Sequence, residues 1–236
     1  MIGPGRIGRI GAMTTQPLAR RQWRVPAALV LLSAVPVVAG MVRTAELASG
    51  AEITEANARF FASPVPVLLH IAGVTLYCVV GAFQFVPGLR GRRSAWHRLA
   101  GRVLVPSGLV AALSGLWMTL FYPYGPAVGD VLTVIRVIFG SFMAVAIVLG
   151  FTAVRRRDFA AHRAWMIRAY AVAMGAGSQA VIIGGWMIVS GPPTVLANTL
   201  LMTLAWLLNL AVAERIIRGP GRAAGRAARA DHLVRS

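Results

Sequence analysis

The chain has 236 residues, of which 57% are apolar and only 13% are charged. Soluble domains are about 45–50% apolar and about 25% charged, so this composition excludes a water-soluble fold and indicates an integral membrane protein. The single cysteine, Cys78, excludes a disulfide scaffold, and the net charge of +17 comes from 24 arginines with no lysine.

Six segments are long and apolar enough to cross a bilayer, which takes about 20 helical residues. In chain order they are residues 25–42, 65–86, 103–121, 131–154, 169–189 and 195–212. Pro36 lies inside span one and predicts a kink, whereas Pro106 and most other prolines lie near span ends. The predicted fold class is therefore an all-α integral membrane bundle of six transmembrane helices.

The arginines alternate between loops. Clusters precede span one, separate spans two and three, separate spans four and five, and follow span six. The other loops hold two arginines and four acidic residues, namely Arg43, Arg59, Glu46, Glu52, Glu55 and Asp130. Because cytoplasmic loops carry an excess of arginine, both termini are predicted to be cytoplasmic. Abundant alanine, glycine and arginine suggest a G+C-rich bacterial genome, hence the bacterial inner membrane.

This topology divides the chain into a basic arm (1–24), a membrane domain (25–217) and a basic tail (218–236). The tail is expected to contact anionic lipid headgroups. Nucleic-acid binding is not expected, because the arginines lie between apolar runs and form no basic face. Two alternatives stay open: residues 1–40 as a cleaved signal peptide, and Met13 as the true start.

Two similar stretches enter spans three and five. The first reads RGRRSAWHRLAGR around His97 and the second RRRDFAAHRAWMIR around His162, about 65 residues apart, which suggests a weak duplication of a two-helix hairpin. Two imidazoles at similar depth could ligate a transition metal or a b-type haem. Arg98 and Arg163 could pair with haem propionates, and Gly101 could leave room for the ring. The alternative is that these residues only anchor the helices at the membrane surface.

Polar residues within spans are costly and therefore mark a second candidate site. His70 lies inside span two, Gln84 lies near the end of that span, and Arg136 lies inside span four. His70 could bond a neighbouring helix or bind a metal or quinone. Arg136 could snorkel to the interface or contact an anion near His70. In the duplication, the residues that correspond to His70 are Ile135 and Arg136.

The stretches HIAGVTLYCVVGAFQFVPGLRGRRSAWHRLAGRV, LSGLWMTLF and AHRAWMIRAYAVAMGAGSQ resemble a bacterial family of predicted membrane proteins of unknown function. The resemblance covers residues 70–179, within a core of about residues 65–189. The positions that match the family pattern are His70, Gln84, His97, Arg98, Gly101, Arg102, His162, Arg163, Trp165, Met166 and Arg168. The resemblance implies a membrane module and brings no activity with it.

The core is also loosely similar to transmembrane b-type cytochrome reductases, which carry histidines on successive helices. Those proteins use four histidine ligands for two haems, whereas this core offers His70, His97 and His162. The leading hypothesis is therefore a single haem at the cytoplasmic side that exchanges electrons with a membrane or soluble partner. The alternatives are a small-molecule or ion transporter using His70 and Arg136, and a structural membrane protein without a cofactor. The sequence assigns no catalytic residue.

Overall fold

The structure is a computed structural model that describes residues 22–86, 89, 95–124 and 129–219. Nearly all of the predicted N-terminal arm and C-terminal tail, and the loop arginines Arg90, Arg92 and Arg93, lie outside the described residues. The described part is all-helical apart from turns and loops, and six of its segments are long and apolar enough to span a membrane.

Eight α-helices are described. They are α1 (Arg24–Ser49), α2 (Ala58–Ala62), α3 (Pro64–Ala82), α4 (Ala95–Phe121), α5 (Asp130–Arg155), α6 (Phe159–Ala173), α7 (Gly175–Ser190) and α8 (Val195–Arg218). A 3₁₀ turn, Phe83–Phe85, extends α3. The six predicted spans correspond to α1, α3, α4, α5, the pair α6–α7, and α8, so the predicted fold class is confirmed for these residues.

Several helices extend beyond the predicted spans. α4 begins at Ala95, so His97 lies inside a helix and does not precede it. For the same reason Pro106 lies within α4, where the sequence analysis placed it near a span end. His162 likewise lies within α6. Polar side chains at an interface interrupt the apolar pattern but leave the backbone free to continue its hydrogen bonds, so hydropathy underestimates helix length.

The fifth span is divided at Met174, which separates α6 from α7. The break is local, because the Met174 amide still donates to the Tyr170 carbonyl and the Ser178 amide to the Met174 carbonyl, at 3.0 and 3.2 Å. Beside it, a Cβ added to Gly175 would lie 2.2 Å from the Trp206 Nε1. Gly175 is therefore the point where the indole of α8 packs directly against the chain.

Four helices form the centre of the bundle. α3 packs against α4, α4 against α5, α5 against α6, and α6 against α3. In this ring, α4 lies at the corner opposite α6, and α3 at the corner opposite α5. α1 packs outside on α3 and α7, while α8 packs on α6 and α7. The central core contains Tyr77, Ala146, Ile147, Ala169 and Tyr170, all of them buried.

Consecutive spans alternate in direction, so every second loop lies at the same end of the bundle. Because the arginines cluster in every second loop, the two ends differ in charge. One end, called the arginine-rich end below, contains the first residues of α4 and α6 and the last residues of α3, α5 and α8. The other, called the opposite end, contains α2 and the loop that follows α4. The cytoplasmic placement of the arginine-rich end stays a prediction.

Candidate functional site

The two histidines that the sequence pairs line a single cavity at the arginine-rich end. His97 reaches it from α4 and His162 from α6, the two helices at opposite corners of the central ring. The cavity has a volume of about 230 Å³. The cavity is also lined by Gln84, Arg163, Met166, Leu104 and Tyr170. The bundle therefore brings together the residue types expected from the sequence, from two helices that are not packed neighbours.

A backbone hydrogen bond fixes the orientation of His162. Its Nδ1 lies 2.8 Å from the Gly150 carbonyl oxygen of α5. A carbonyl can only accept, so Nδ1 carries the proton and, in the neutral ring, Nε2 keeps its lone pair. α5 and α6 approach closely here, because a Cβ on Gly150 would lie 2.8 Å from the Met166 Cε. A fixed Nδ1–H with a basic Nε2 is the usual arrangement of a metal-ligating histidine.

Two further polar groups line this cavity. The Gln84 Nε2 is buried and makes no hydrogen bond within the described part of the chain. Arg163, one residue after His162, brings a guanidinium group to the same space. A buried amide donor that lacks an acceptor is costly, so its position favours a ligand that carries acceptor atoms. Gln84 and Arg163 together suit carboxylate oxygens.

Arg98 and Gly101, the other two residues expected near a cofactor, are placed differently. The Arg98 side chain is exposed, and it is not among the residues that line the cavity. Gly101 does not line it either, and an added Cβ would meet no atom within 4 Å. On α4 the cavity is lined by His97 and Leu104, which are two turns apart on one helix face.

A second cavity, of about 350 Å³, lies toward the opposite end of the bundle. It is lined by His70 of α3 and by Arg136 of α5, which again occupy opposite corners of the central ring. The His70 Nδ1 lies 2.8 Å from the Ala111 carbonyl oxygen, so this nitrogen is the donor. The duplication suggested by the sequence thus has a spatial counterpart, since His97 and His162 line one cavity and His70 and Arg136 line the other.

Tyr77 and Tyr170 lie between the two cavities. Their ring centroids are 5.9 Å apart, and the Tyr170 hydroxyl donates to the Cys78 carbonyl oxygen at 2.7 Å. Both tyrosines line the cavity of the histidine pair. About one turn further along each helix, Val74 and Ala173 line the second cavity. Cys78 is buried in this wall.

The sequence analysis missed the part that α2 plays in the second cavity. Arg59 and Phe60 of α2 line it, together with Tyr122 and Tyr124 from the loop after α4. The Tyr122 hydroxyl donates to the Ser63 carbonyl oxygen at 2.6 Å, and burial raises the pKa of Tyr122. The signal was present in the sequence, since Arg59 is one of only two arginines in the loops at that end.

Comparison with known proteins identifies one family. Residues 67–217 match the model of a family described as a predicted membrane protein, DUF2306. The match extends past the residues 70–179 that carried the resemblance and includes α8, while α1 lies before it. Searches of curated proteins and of solved structures found no match. No comparison shows the looser similarity to b-type cytochrome reductases.

Proposed function

The chain belongs to the DUF2306 family of predicted membrane proteins, and within that membrane fold we propose that it carries electrons on a single b-type haem held by His97 and His162. The observation that carries the proposal is the meeting of these two imidazoles in one cavity, from opposite corners of the bundle. His97 and His162 would hold the haem through their ring nitrogens, from helices at opposite corners of the bundle.

The donor set fits a haem. A structural zinc ion usually takes four protein ligands, whereas two histidines would be enough to hold a haem. Within the described residues, no group of three or more His, Cys, Asp or Glu side chains could hold a metal ion. Two histidines in a largely apolar cavity therefore suit a haem better than a bare ion. Bound there, the haem would supply a one-electron Fe³⁺/Fe²⁺ couple.

The remaining residues have distinct tasks in this proposal. The Gly150 carbonyl holds the His162 ring in the tautomer that a ligand needs. Arg163 and the buried Gln84 amide would donate hydrogen bonds to the propionates. The cavity is smaller than the roughly 300–1,000 Å³ of most ligand sites, so binding requires side chains to move. The Met166 side chain is flexible, and the Phe159 side chain is 63% exposed, so both of these side chains can move.

The test is an absorption spectrum of the detergent-purified protein, oxidised and then reduced with dithionite, after expression with ample haem. We expect a Soret band and a reduced α-band that disappear in His97→Ala and His162→Ala. His70→Ala is the matched control, because it removes a membrane histidine that lines the other cavity. Imidazole should restore the band to His162→Gly if that side chain is a ligand. A colourless wild-type protein would contradict the proposal.

Transport of a small molecule or ion is the second candidate function. The observation in its favour is the larger cavity that contains both His70 and Arg136. The test is the flux of a small molecule or ion into reconstituted vesicles. A flux that is lost in Arg136→Gln but persists in His97→Ala would support transport. Flux of the same size in both variants would exclude a role for Arg136.

A further inference from the structure

Two arginines, Arg59 and Arg136, line the second cavity. Neither Arg59 nor Arg136 forms an ion pair within the described residues. The ion pairs that are found there join Arg43 to Glu46, and Arg168 and Arg218 to Glu214. The Arg59 Nε is buried and makes no hydrogen bond within that part of the chain. Arg59 and Arg136 are half-buried, and a partly desolvated guanidinium group without an anion is costly, so the site favours an incoming anion.

The contacts that these arginines do make are weak and directional. Both guanidinium groups lie over the ring of Tyr124, with centroid distances of 5.4 Å from Arg59 and 5.2 Å from Arg136. Arg136 also approaches the Met202 sulfur at 3.9 Å, and Arg59 the Pro123 carbonyl oxygen at 3.4 Å. Tyr124 therefore lies beneath two positive charges at one cavity, and most of their hydrogen-bonding capacity is unused within the part of the chain that the structure describes.

The rest of the lining is largely apolar. Phe139 and Trp206 stack with ring centroids 4.7 Å apart, and both line the cavity, as does Met143. Gln179 contributes one polar group, but its Nε2 already donates to the Met202 carbonyl oxygen at 3.2 Å. At about 350 Å³ the cavity lies near the lower limit of the range for small-molecule sites. The occupant must therefore be small, with one anionic end and an apolar body.

We propose that this cavity binds a small amphiphilic acid whose carboxylate or phosphate oxygens are held by Arg59 and Arg136. The guanidinium fork matches either anion with paired hydrogen bonds. The apolar body would lie among Phe139, Met143 and Trp206. The proposal deepens the second candidate function by naming its ligand class. It is independent of the haem, so a colourless protein would leave it standing.

Binding of octanoate and octyl phosphate to the full chain in neutral detergent tests the proposal. Isothermal titration calorimetry should show binding of at least one of the two anions, and at least about tenfold weaker binding of octanol, which has the same chain without the charge. Arg136→Gln and Arg59→Gln should each weaken anion binding by about tenfold or more. Arg136→Lys should recover part of it, because lysine keeps the charge and loses the fork. Arg102→Gln, an exposed arginine on α4, is the matched control and should bind like wild type.

Octanol binding serves as the fold check for the variants, since it should be equal in all of them. Equal affinities for octanoate, octyl phosphate and octanol would overturn the proposal, as would full anion binding in both Arg→Gln variants. The same titration in nanodiscs distinguishes the source of the anion. If octanoate binds more weakly in nanodiscs that contain phosphatidylglycerol than in nanodiscs of phosphatidylcholine alone, the occupant is identified as a lipid phosphate. No such effect would identify a free acid. Either result supports the shared chemistry.

Discussion

Gly73 sets how closely α3 and α4 can approach. A Cβ added there would lie 2.8 Å from the Ser107 carbonyl oxygen and 3.0 Å from the Ala111 amide nitrogen. Both are backbone atoms, so neither can move without shifting α4. Without a strong hydrophobic drive between helices, membrane bundles rely on this kind of close packing at small residues. The same stretch of α4 also supplies the Ala111 carbonyl that orients His70.

We therefore predict that Gly73→Ala lowers the free energy of unfolding in detergent by about 1–3 kcal/mol, the usual cost of overpacking. Gly184→Ala in α7 is the matched control, because its added methyl would meet nothing within 4 Å. The control should be neutral, or gain up to about 1 kcal/mol from helix propensity. Thermal melting of both variants measures the difference, and an equal effect of the two would refute the close contact.

At the level of elements, one side chain joins three helices. Asn209 of α8 accepts a hydrogen bond from the Ser178 hydroxyl of α7 at 2.9 Å. Its Nδ2 donates to the Ala171 carbonyl oxygen of α6 at 3.1 Å. These bonds lie close to the interruption at Met174, where α6 ends and α7 begins. Asn209 thus ties α8 to the divided fifth span from both sides of the break.

Asn209→Leu should cost about 1 kcal/mol of unfolding free energy, because each interhelical hydrogen bond in a membrane is worth about 0.6 kcal/mol. Asn198→Leu is the control, since Asn198 lies in the first turn of α8 and takes no part in these links. Unfolding titrations in mixed micelles with sodium dodecyl sulfate can resolve the two. A loss in Asn198→Leu as large as in Asn209→Leu would show that the links to α6 and α7 contribute nothing.

The elements also show where prediction from the sequence ends. All six spans follow from apolar run length, because a bilayer imposes that length. The early start of α4 at Ala95, the break at Met174 and the short helix α2 do not follow. Polar interfacial residues extend a helix beyond the apolar run that hydropathy detects, and Trp206 packs at Gly175, beside the break. Contacts of that kind are set by the tertiary structure.

At the level of the whole molecule, charge should orient the bundle. The arginine-rich end is predicted to be cytoplasmic. In a Cys78→Ala background, a membrane-impermeant maleimide should label Glu55→Cys in intact cells and Arg156→Cys only after lysis, since both positions are exposed. The wild-type chain, with Cys78 only 4% exposed, should stay unlabelled in both conditions. Labelling of Arg156→Cys in intact cells, with protection of Glu55→Cys, would invert the topology.

The candidate site was predictable in part. The local repeat around His97 and His162 suggested the pair, and antiparallel spans place both at one end. The contribution of Gln84 through a buried amide and the separation of Arg98 from the cavity depend on side-chain direction, which spacing alone does not give. Arg59 reaches the second cavity only because α2 forms in a loop. Corner positions in a bundle follow from its packing, and this sequence gave no signal for them.

The most direct test of the account is the haem content of the purified chain, measured as its pyridine haemochrome against protein concentration. We predict one haem b per chain in the wild type, because a single histidine pair shares a cavity. The double variant His97→Ala/His162→Ala should hold none, while His70→Ala should keep the wild-type value. Absence of haem from wild-type protein made with ample haem, or a haem content unchanged in the double variant, would contradict the assignment.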